Sequence, residues 1–337
     1  MKKEPKYTQF ALVREMLETP GILRNFKVGP VEKVIEVIKQ TGRVFFTGEG
    51  SSRIFPAKNA MAQALRSGLN VCLATDGGRQ AGEYDLKDFV VFAASNSGKT
   101  REVVWLFDTL KKAGHKKLFG LTANKNTMLE SLAVQTFVLS CGSEDAVAAT
   151  KSVAEQALFY QALLGQVQGK SLTGKLGGLA GAFEQALTMD IDPKITEAIA
   201  GAGTIYFAGR NDGVAEELTL KTNEITRKKS DFLEGTYAVH GIEEVMNPDD
   251  VVIVIDPFQA ELDKFKQVLA DGVKMKVVAV SAEDTPFPTI KVKPMGELSP
   301  YVSLAAGWNI LVEVGLRLKI NLDKPTRARK VGNEFVG

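Results

Sequence analysis

Cysteine and histidine are scarce: the 337 residues hold two of each. That leaves little for a His/Cys metal cluster, and no metal is expected. Cys72 and Cys141 both lie in apolar, strand-like runs, the pattern of two buried thiols in a reducing cytoplasm rather than of a disulfide scaffold. No hydrophobic run approaches a membrane span, and the first residues, "MKKEPKYTQFALVREM", do not read as a signal peptide. Net charge is only +2, so there is no electrostatic footprint for nucleic acid or an anionic membrane. Low-complexity segments are missing. So are the GxxxxGK[ST] P-loop and the GxGxxG fingerprint, which disfavours a dinucleotide and leaves no cofactor to expect.

What is there is ample apolar material, 45% of the chain, in a length that suggests two domains. Short apolar runs alternate with helical patterns: "RVFFTG", "SRIFPAKNAMAQALRSG", "NVCLAT", "FVVFAA", the helix from Arg101, "KLFGLT", a short helix near Met128 and "TFVLS". Such alternation marks βαβ units in a parallel sheet covered by helices. From about Ala146 to Ala200 the pattern is helical, and βα alternation resumes at "TIYFAG". The resumption is a repeat. "GRVFFTGEG" resembles "GTIYFAGRN", "KDFVVFAAS" resembles "DDVVIVIDP", and "KKAGHKKLFGLTA" resembles "LADGVKMKVVAVSA", all at an offset near half the chain. A period this long means duplicated domains.

Only the first copy has serine-rich turns after two of its strands, "GEGSSR" and "SNSGKT"; the second has "GRNDGV" and "DPFQAE" in their place. Ligands of open α/β sheets sit at the carboxyl ends of strands, and a helix N-terminus suits a tetrahedral anion. Ser51, Ser52, Ser95, Ser97 and Thr100 supply small hydroxyl donors there, and Gly98 permits the tight turn. The plainer alternative is that these residues are helix N-caps. In the second copy, Lys221 and Glu224 share one helix face by their i, i+3 spacing, the geometry of a surface ion pair when taken alone. His240 follows in a loop, and Lys330 lies in a basic tail, "DKPTRARK".

Together these segments resemble the SIS (sugar isomerase) domain family, and the whole chain resembles the isomerase half of the glucosamine-fructose-6-phosphate synthases, a tandem of two SIS domains. "SNSGKT" is similar to that family's SxSGxT turn, "MLETP" to its entry helix and "GEGSS" to its CGTS turn. "GSEDAVAATK" is similar to GTExxVASTK, "LTLKTNEI" to ALKLKEI, and "DKPTRARK" to DxPRNLAK. The resemblance implies an α/β fold with two parallel five-stranded sheets flanked by helices, each a flavodoxin-like three-layer sandwich. The expected boundaries are an N-terminal helical segment at 1–30, SIS domain 1 at 31–165, a helical linker at 166–200, SIS domain 2 at 201–320 and a tail at 321–337 that closes the active site.

It also implies phosphate binding by Ser51, Ser52, Ser95, Asn96, Ser97 and Thr100, with Val147 lining the sugar site by its backbone. Lys221 and Glu224 would flank C1 and C2, Glu224 moving the proton. His240 would open the sugar ring from the neighbouring subunit of a homodimer, and Lys330 would meet the ketose carbonyl as a Schiff base or an electrophile. These residue types suit aldose–ketose isomerisation of a hexose or aminohexose phosphate: a carboxylate can shuttle a proton beside a carbonyl, and a lysine can polarise that carbonyl. Arg53, Ala149 and the "TRARK" wording depart from the family and leave the substrate open; its anion is a phosphate or a sulfonate. The family's glutaminase half is not expected, since Met1 is followed by Lys2 rather than led by a cysteine. Deamination of an aminosugar phosphate and cleavage of a sugar-phosphate–amine conjugate use the same steps, and a phosphosugar sensor would use the binding turns alone.

Overall fold

The computed structural model describes residues 1–327 and Glu334. Lys330 lies outside the described residues. The chain divides into two compact units. One contains Gly21–Glu144 and Ala149–Gly177; the other contains Met1–Pro20, Asp145–Ala148 and Gly178–Arg327.

The first of these units holds a parallel sheet of β1 (Arg43–Thr47), β2 (Cys72–Asp76), β3 (Val90–Ala94), β4 (Leu118–Thr122) and β5 (Gln135–Val138), in the order β2-β1-β3-β4-β5. Its central strands read as continuous apolar runs because both faces are covered. Alternation by two sends Phe45, Val91 and Ala93 to one face, against Val103, Leu106 and Phe107 of the helix Arg101–Lys112. The neighbouring residues go the other way. Phe92 packs on Phe119 with ring centroids 5.3 Å apart, and Phe46 packs on Tyr160 at 4.5 Å. Tyr160 belongs to the helix Lys151–Val167, which is buried at every position from Lys151 to Leu164.

The other unit repeats the arrangement with β6 (Thr204–Gly209), β7 (Lys229–Glu234), β8 (Val251–Ile255), β9 (Lys276–Ser281) and β10 (Thr289–Lys291), ordered β10-β9-β8-β6-β7 and parallel throughout. In both sheets the chain order reverses between two adjacent strands, β1 and β3 in one, β6 and β8 in the other. Such a switch point opens a crevice at the strands' carboxyl ends.

Three details differ from the sequence expectation. The long helix begins at Lys151, not Ala146, because the Glu144 carboxylate takes the N–H of Thr150 (2.7 Å) and of Ser152 (3.5 Å) and so fixes the helix start. The helical pattern that runs on through "TRKK" ends early: the helix Val214–Thr226 stops at Arg227, which turns left-handed (φ 59°), and "KSDFLE" continues as the polar edge strand β7, the strand expected before the His240 loop. Of the two cysteines only Cys141 is buried; Cys72 starts the edge strand β2 and is exposed. Among the described residues, no helix is long and apolar enough to cross a membrane.

Candidate functional site

The two serine turns leave the strands that flank the first switch point. Gly48 shows how closely they approach: a Cβ there would lie 2.9 Å from the Ser52 carbonyl oxygen and 3.0 Å from that of Ala94, the residue before Ser95. Only glycine lets the chain leaving β1 pass so near the end of β3. Gly98 is equally constrained, with φ 64° and a hypothetical Cβ 2.4 Å from that of Thr127. It folds Ser95-Asn96-Ser97 into a tight loop in which the Gly98 N–H donates to Ser95 Oγ (3.0 Å) and the Lys99 N–H to Ser97 Oγ (3.2 Å).

Ser51 and Ser95 are buried, Ser52, Asn96, Ser97 and Thr100 partly so, and Lys99 faces solvent. Thr100 occupies the N-cap of the helix Arg101–Lys112, yet its side chain makes no capping bond; its hydroxyl pairs with Ser95 Oγ at 2.8 Å. The cap alternative therefore does not account for this hydroxyl. Thr100 also forms an isolated antiparallel bridge with Glu334 of the C-terminal tail. Beside the first turn, burial pushes the Glu49 carboxyl up, opposed by a hydrogen bond from the Gly78 N–H at 2.8 Å.

At the matching switch point of the other unit there are no hydroxyls. Gly209 (φ 129°) passes Ile255 as Gly48 passes Ala94. The turn after β8 then carries Asp256 in a left-handed conformation (φ 45°), and Arg210 binds it, Nε lying 3.2 Å from Oδ2 and donating to the Asp256 carbonyl at 3.0 Å. The turn therefore carries a partly exposed Arg–Asp pair where the first unit carries hydroxyls.

In the same unit the helix Val214–Thr226 carries Lys221 and Glu224 as the spacing predicted, but they are not a surface pair. Lys221 is fully buried, with Nζ 2.7 Å from Glu224 Oε2 and 3.4 Å from Glu217 Oε1. Glu217 is fully buried too, while the Glu224 side chain keeps 28% of its exposure. Burying three charges along one helix face is costly unless each is paired, so such a cluster marks chemistry more than stability. Glu217 was missed on sequence; the signal was present as E-x-x-x-K-x-x-E, three charges at i, i+4 and i+7 amid apolar neighbours.

Val147 is half-buried in the irregular segment before the long helix, where Glu15 accepts the N–H groups of Asp145 and Ala146. His240 is exposed and borders a surface recess of about 550 Å³ with Phe232, Glu234, Thr236 and Tyr237. Its Nε2 lies 3.3 Å from Lys264 Nζ, whose ammonium can only donate.

No family model matches the chain. It is 27% identical over 245 residues to the isomerizing glutamine–fructose-6-phosphate aminotransferase of Aeropyrum pernix, covering 64% of this chain and 40% of that protein. The protein of the same name from Sulfurisphaera tokodaii is 25% identical over 317 residues, 86% of this chain and 52% of its own length. The chain is homologous to part of these aminotransferases. It spans about half the length of the curated relatives it matches.

Among solved structures, the C-terminal domain of glucosamine-fructose-6-phosphate aminotransferase from Francisella tularensis aligns with a TM-score of 0.80 at 16% identity, over 94% of this chain and 98% of that one. Tagatose-6-phosphate ketose/aldose isomerase from Escherichia coli aligns at 0.76 and 16%, over 97% and 100%. Glucosamine-6-phosphate deaminase from Thermotoga maritima aligns at 0.74 and 21%, over 95% and 98%. At these identities the likeness is one of fold.

Proposed function

We propose that the chain is an aldose–ketose isomerase of two SIS domains, acting without a metal on a hexose or aminohexose that bears a terminal phosphate or similar oxyanion. The serine turns hold the oxyanion, and Glu224 carries the proton between C1 and C2. Lys221 pairs with Glu224 and orients it, His240 of a second subunit opens the ring, and the tail with Lys330 meets the carbonyl. The observation that carries this reading is the serine turn itself: its hydroxyls converge at a switch point without serving as caps, whereas the duplicate crevice is filled by Asp256 and Arg210. That a ketose/aldose isomerase is among the proteins of similar fold agrees with it.

Holding the remote oxyanion supplies binding energy that orients the reacting carbons. A carboxylate then takes the proton beside the carbonyl and returns it to the adjacent carbon. The test is proton NMR in deuterated water with fructose, glucose, tagatose and glucosamine 6-phosphates and a 6-sulfonated hexose. Label entering C1 or C2 with aldose–ketose conversion is the expected result. Ammonia release from glucosamine 6-phosphate would assign the deaminase reaction instead, in line with the Thermotoga neighbour. A ligand-dependent rise in melting temperature with no exchange on any sugar would overturn the enzyme in favour of a sensor.

A further inference from the structure

The Asn96 side chain does not stand free beside the serines. Its Nδ2 donates to Glu144 Oε2 at 3.1 Å, while the Asn96 backbone carbonyl oxygen accepts from the Ala123 N–H (3.1 Å) and from Asn124 Nδ2 (2.9 Å). Asn124 is oriented in turn by Ser143, whose hydroxyl donates to Asn124 Oδ1 at 2.8 Å. Ser143, through Asn124, thus steadies the Asn96 backbone, and Glu144 holds the Asn96 side chain. Glu144 is 5% exposed and also accepts from the Thr150 N–H and hydroxyl (2.7 and 3.3 Å) and from the Ser152 N–H and hydroxyl (3.5 and 2.5 Å). A carboxylate ringed by donors in this way is an acceptor only. An amide can present either its nitrogen or its oxygen to a neighbour, but to Glu144 it can present only the nitrogen.

We infer that Glu144 is a positioning residue for anion binding: it locks the Asn96 amide so that one N–H is spent on Glu144 and the other is held for the substrate's oxyanion. This rests on the anion site proposed above. Nothing in the turn itself fixes the amide's sense of rotation; the carboxylate does. Replacing Glu144 by glutamine lets Asn96 face residue 144 with either end, so the donor is lost for part of the time although the side-chain volume is kept. The same substitution weakens the start of the helix at Lys151, so a structural role must be separated from a positioning one.

The separation is a double-mutant cycle with inorganic phosphate as the probe, followed by calorimetric titration. Asn96→Ala and Glu144→Gln are each expected to weaken phosphate binding about three- to tenfold, the scale of one hydrogen bond. The pair should be no worse than about twofold beyond Asn96→Ala alone, because both changes remove one interaction. Ser152→Ala, which removes a Glu144 contact at the helix start only, should lower the melting temperature and leave phosphate affinity within about twofold. The native protein carries an independent readout, should Glu144→Gln fail to fold. Of the two Asn96 side-chain amide protons, assigned by their loss in Asn96→Ala, one should shift on phosphate addition while its partner stays fixed. Native-like affinity in Glu144→Gln, multiplicative losses in the pair, or two amide protons that move together would each overturn the inference. If the native protein binds phosphate and Ser97→Ala weakens it, those failures leave the anion site standing; if the native protein binds neither phosphate nor sulfate, the anion site falls and the inference with it.

Discussion

Replacing Glu224 by glutamine separates chemistry from architecture more cleanly than any other change in the buried triad. The Lys221 ammonium lies 2.7 Å from Glu224 Oε2, and a glutamine oxygen can accept the same hydrogen bond. Glu217, 3.4 Å from Nζ on the other side, keeps a carboxylate against the cation. The loss is therefore the step from a charge-assisted to a neutral bond at a side chain with 28% exposure, about 1 kcal/mol or less. A general base contributes about 10²–10⁴ in rate, so kcat should fall at least about a hundredfold, equivalent to about 2.7 kcal/mol of transition-state stabilisation. KM for the sugar phosphate should stay within about threefold, because the oxyanion anchor is untouched. The assay is deuterium incorporation at C1 or C2 from deuterated water, with the melting temperature measured on the same sample. Glu217→Gln is the contrast. It removes the charge of a fully buried partner, and the cost of breaking such a pair, about 3–5 kcal/mol, should appear first in stability. A Glu224→Gln protein that exchanges the carbon-bound proton at the native rate would refute the proton-carrier role and leave Glu224 as a structural ion-pair member.

Ser97→Ala with Thr100→Ala should raise KM for an anionic sugar strongly while costing only about 1 kcal/mol of stability, since the Thr100 hydroxyl bonds Ser95 and caps nothing; an unchanged KM would remove the turn from the site. Mixing inactive Glu224→Gln with inactive His240→Ala subunits should restore part of the activity if His240 acts across a subunit boundary, and full activity of a monomer in sedimentation would refute that arrangement. His115 gives a pH dependence of stability. Its Nδ1 accepts from the Lys117 N–H (3.2 Å), its Nε2 therefore donates to the Leu86 carbonyl (2.9 Å), and burial, aided by the Lys117 charge, holds its pKa below the ordinary value. The folded form thus resists protonation. The stability that neutral His115 contributes is complete above about pH 6.5 and is lost as pH falls below it, by at most about 1.4 kcal/mol per unit; denaturant titrations of His115→Gln should lack that slope.

The sheets were legible in the sequence because parallel strands buried on both faces write themselves as apolar runs: "RVFFT", "VVFAA" and "VVIVI" are each buried along nearly their whole length. The start of β7 was not legible for the opposite reason. It is an edge strand with exposed Lys229, Asp231 and Glu234, and nothing in "TRKKSDFLE" separates it from the end of a polar helix face until Arg227 is seen in a left-handed turn. At the site, residue identities and spacings were legible but burial was not. The i, i+3 spacing of Lys221 and Glu224 reads the same for a solvated ion pair and for a charge fully enclosed in the helix packing. Glu144 escaped notice because its partners, Asn96, Thr150 and Ser152, lie 48, 6 and 8 residues away, and only the folded turn brings one carboxylate to all of them.

The two sheets share one topology, yet their switch points differ without any change of fold. Each sheet needs a glycine where the first strand of the crossing ends, and each has one, Gly48 and Gly209, with a neighbouring carbonyl too close for a Cβ. In one unit the turn after β3 is small and hydroxylic, and its tight loop is set by Gly98; in the other, Asp256 supplies a carboxylate and Arg210 neutralises it. At the second switch point Arg210 is already engaged by the Asp256 carboxylate at 3.2 Å, whereas the turns of the first offer the hydroxyls of Ser51, Ser52, Ser95, Ser97 and Thr100, with the Glu144 carboxylate taken up by Asn96, Thr150 and Ser152. If the serine turns hold an external anion as proposed, the two sheets differ in what their switch points offer it, hydroxyls in one and the Arg210–Asp256 pair in the other, and the Glu217–Lys221–Glu224 row belongs to the unit whose switch point has no hydroxyls.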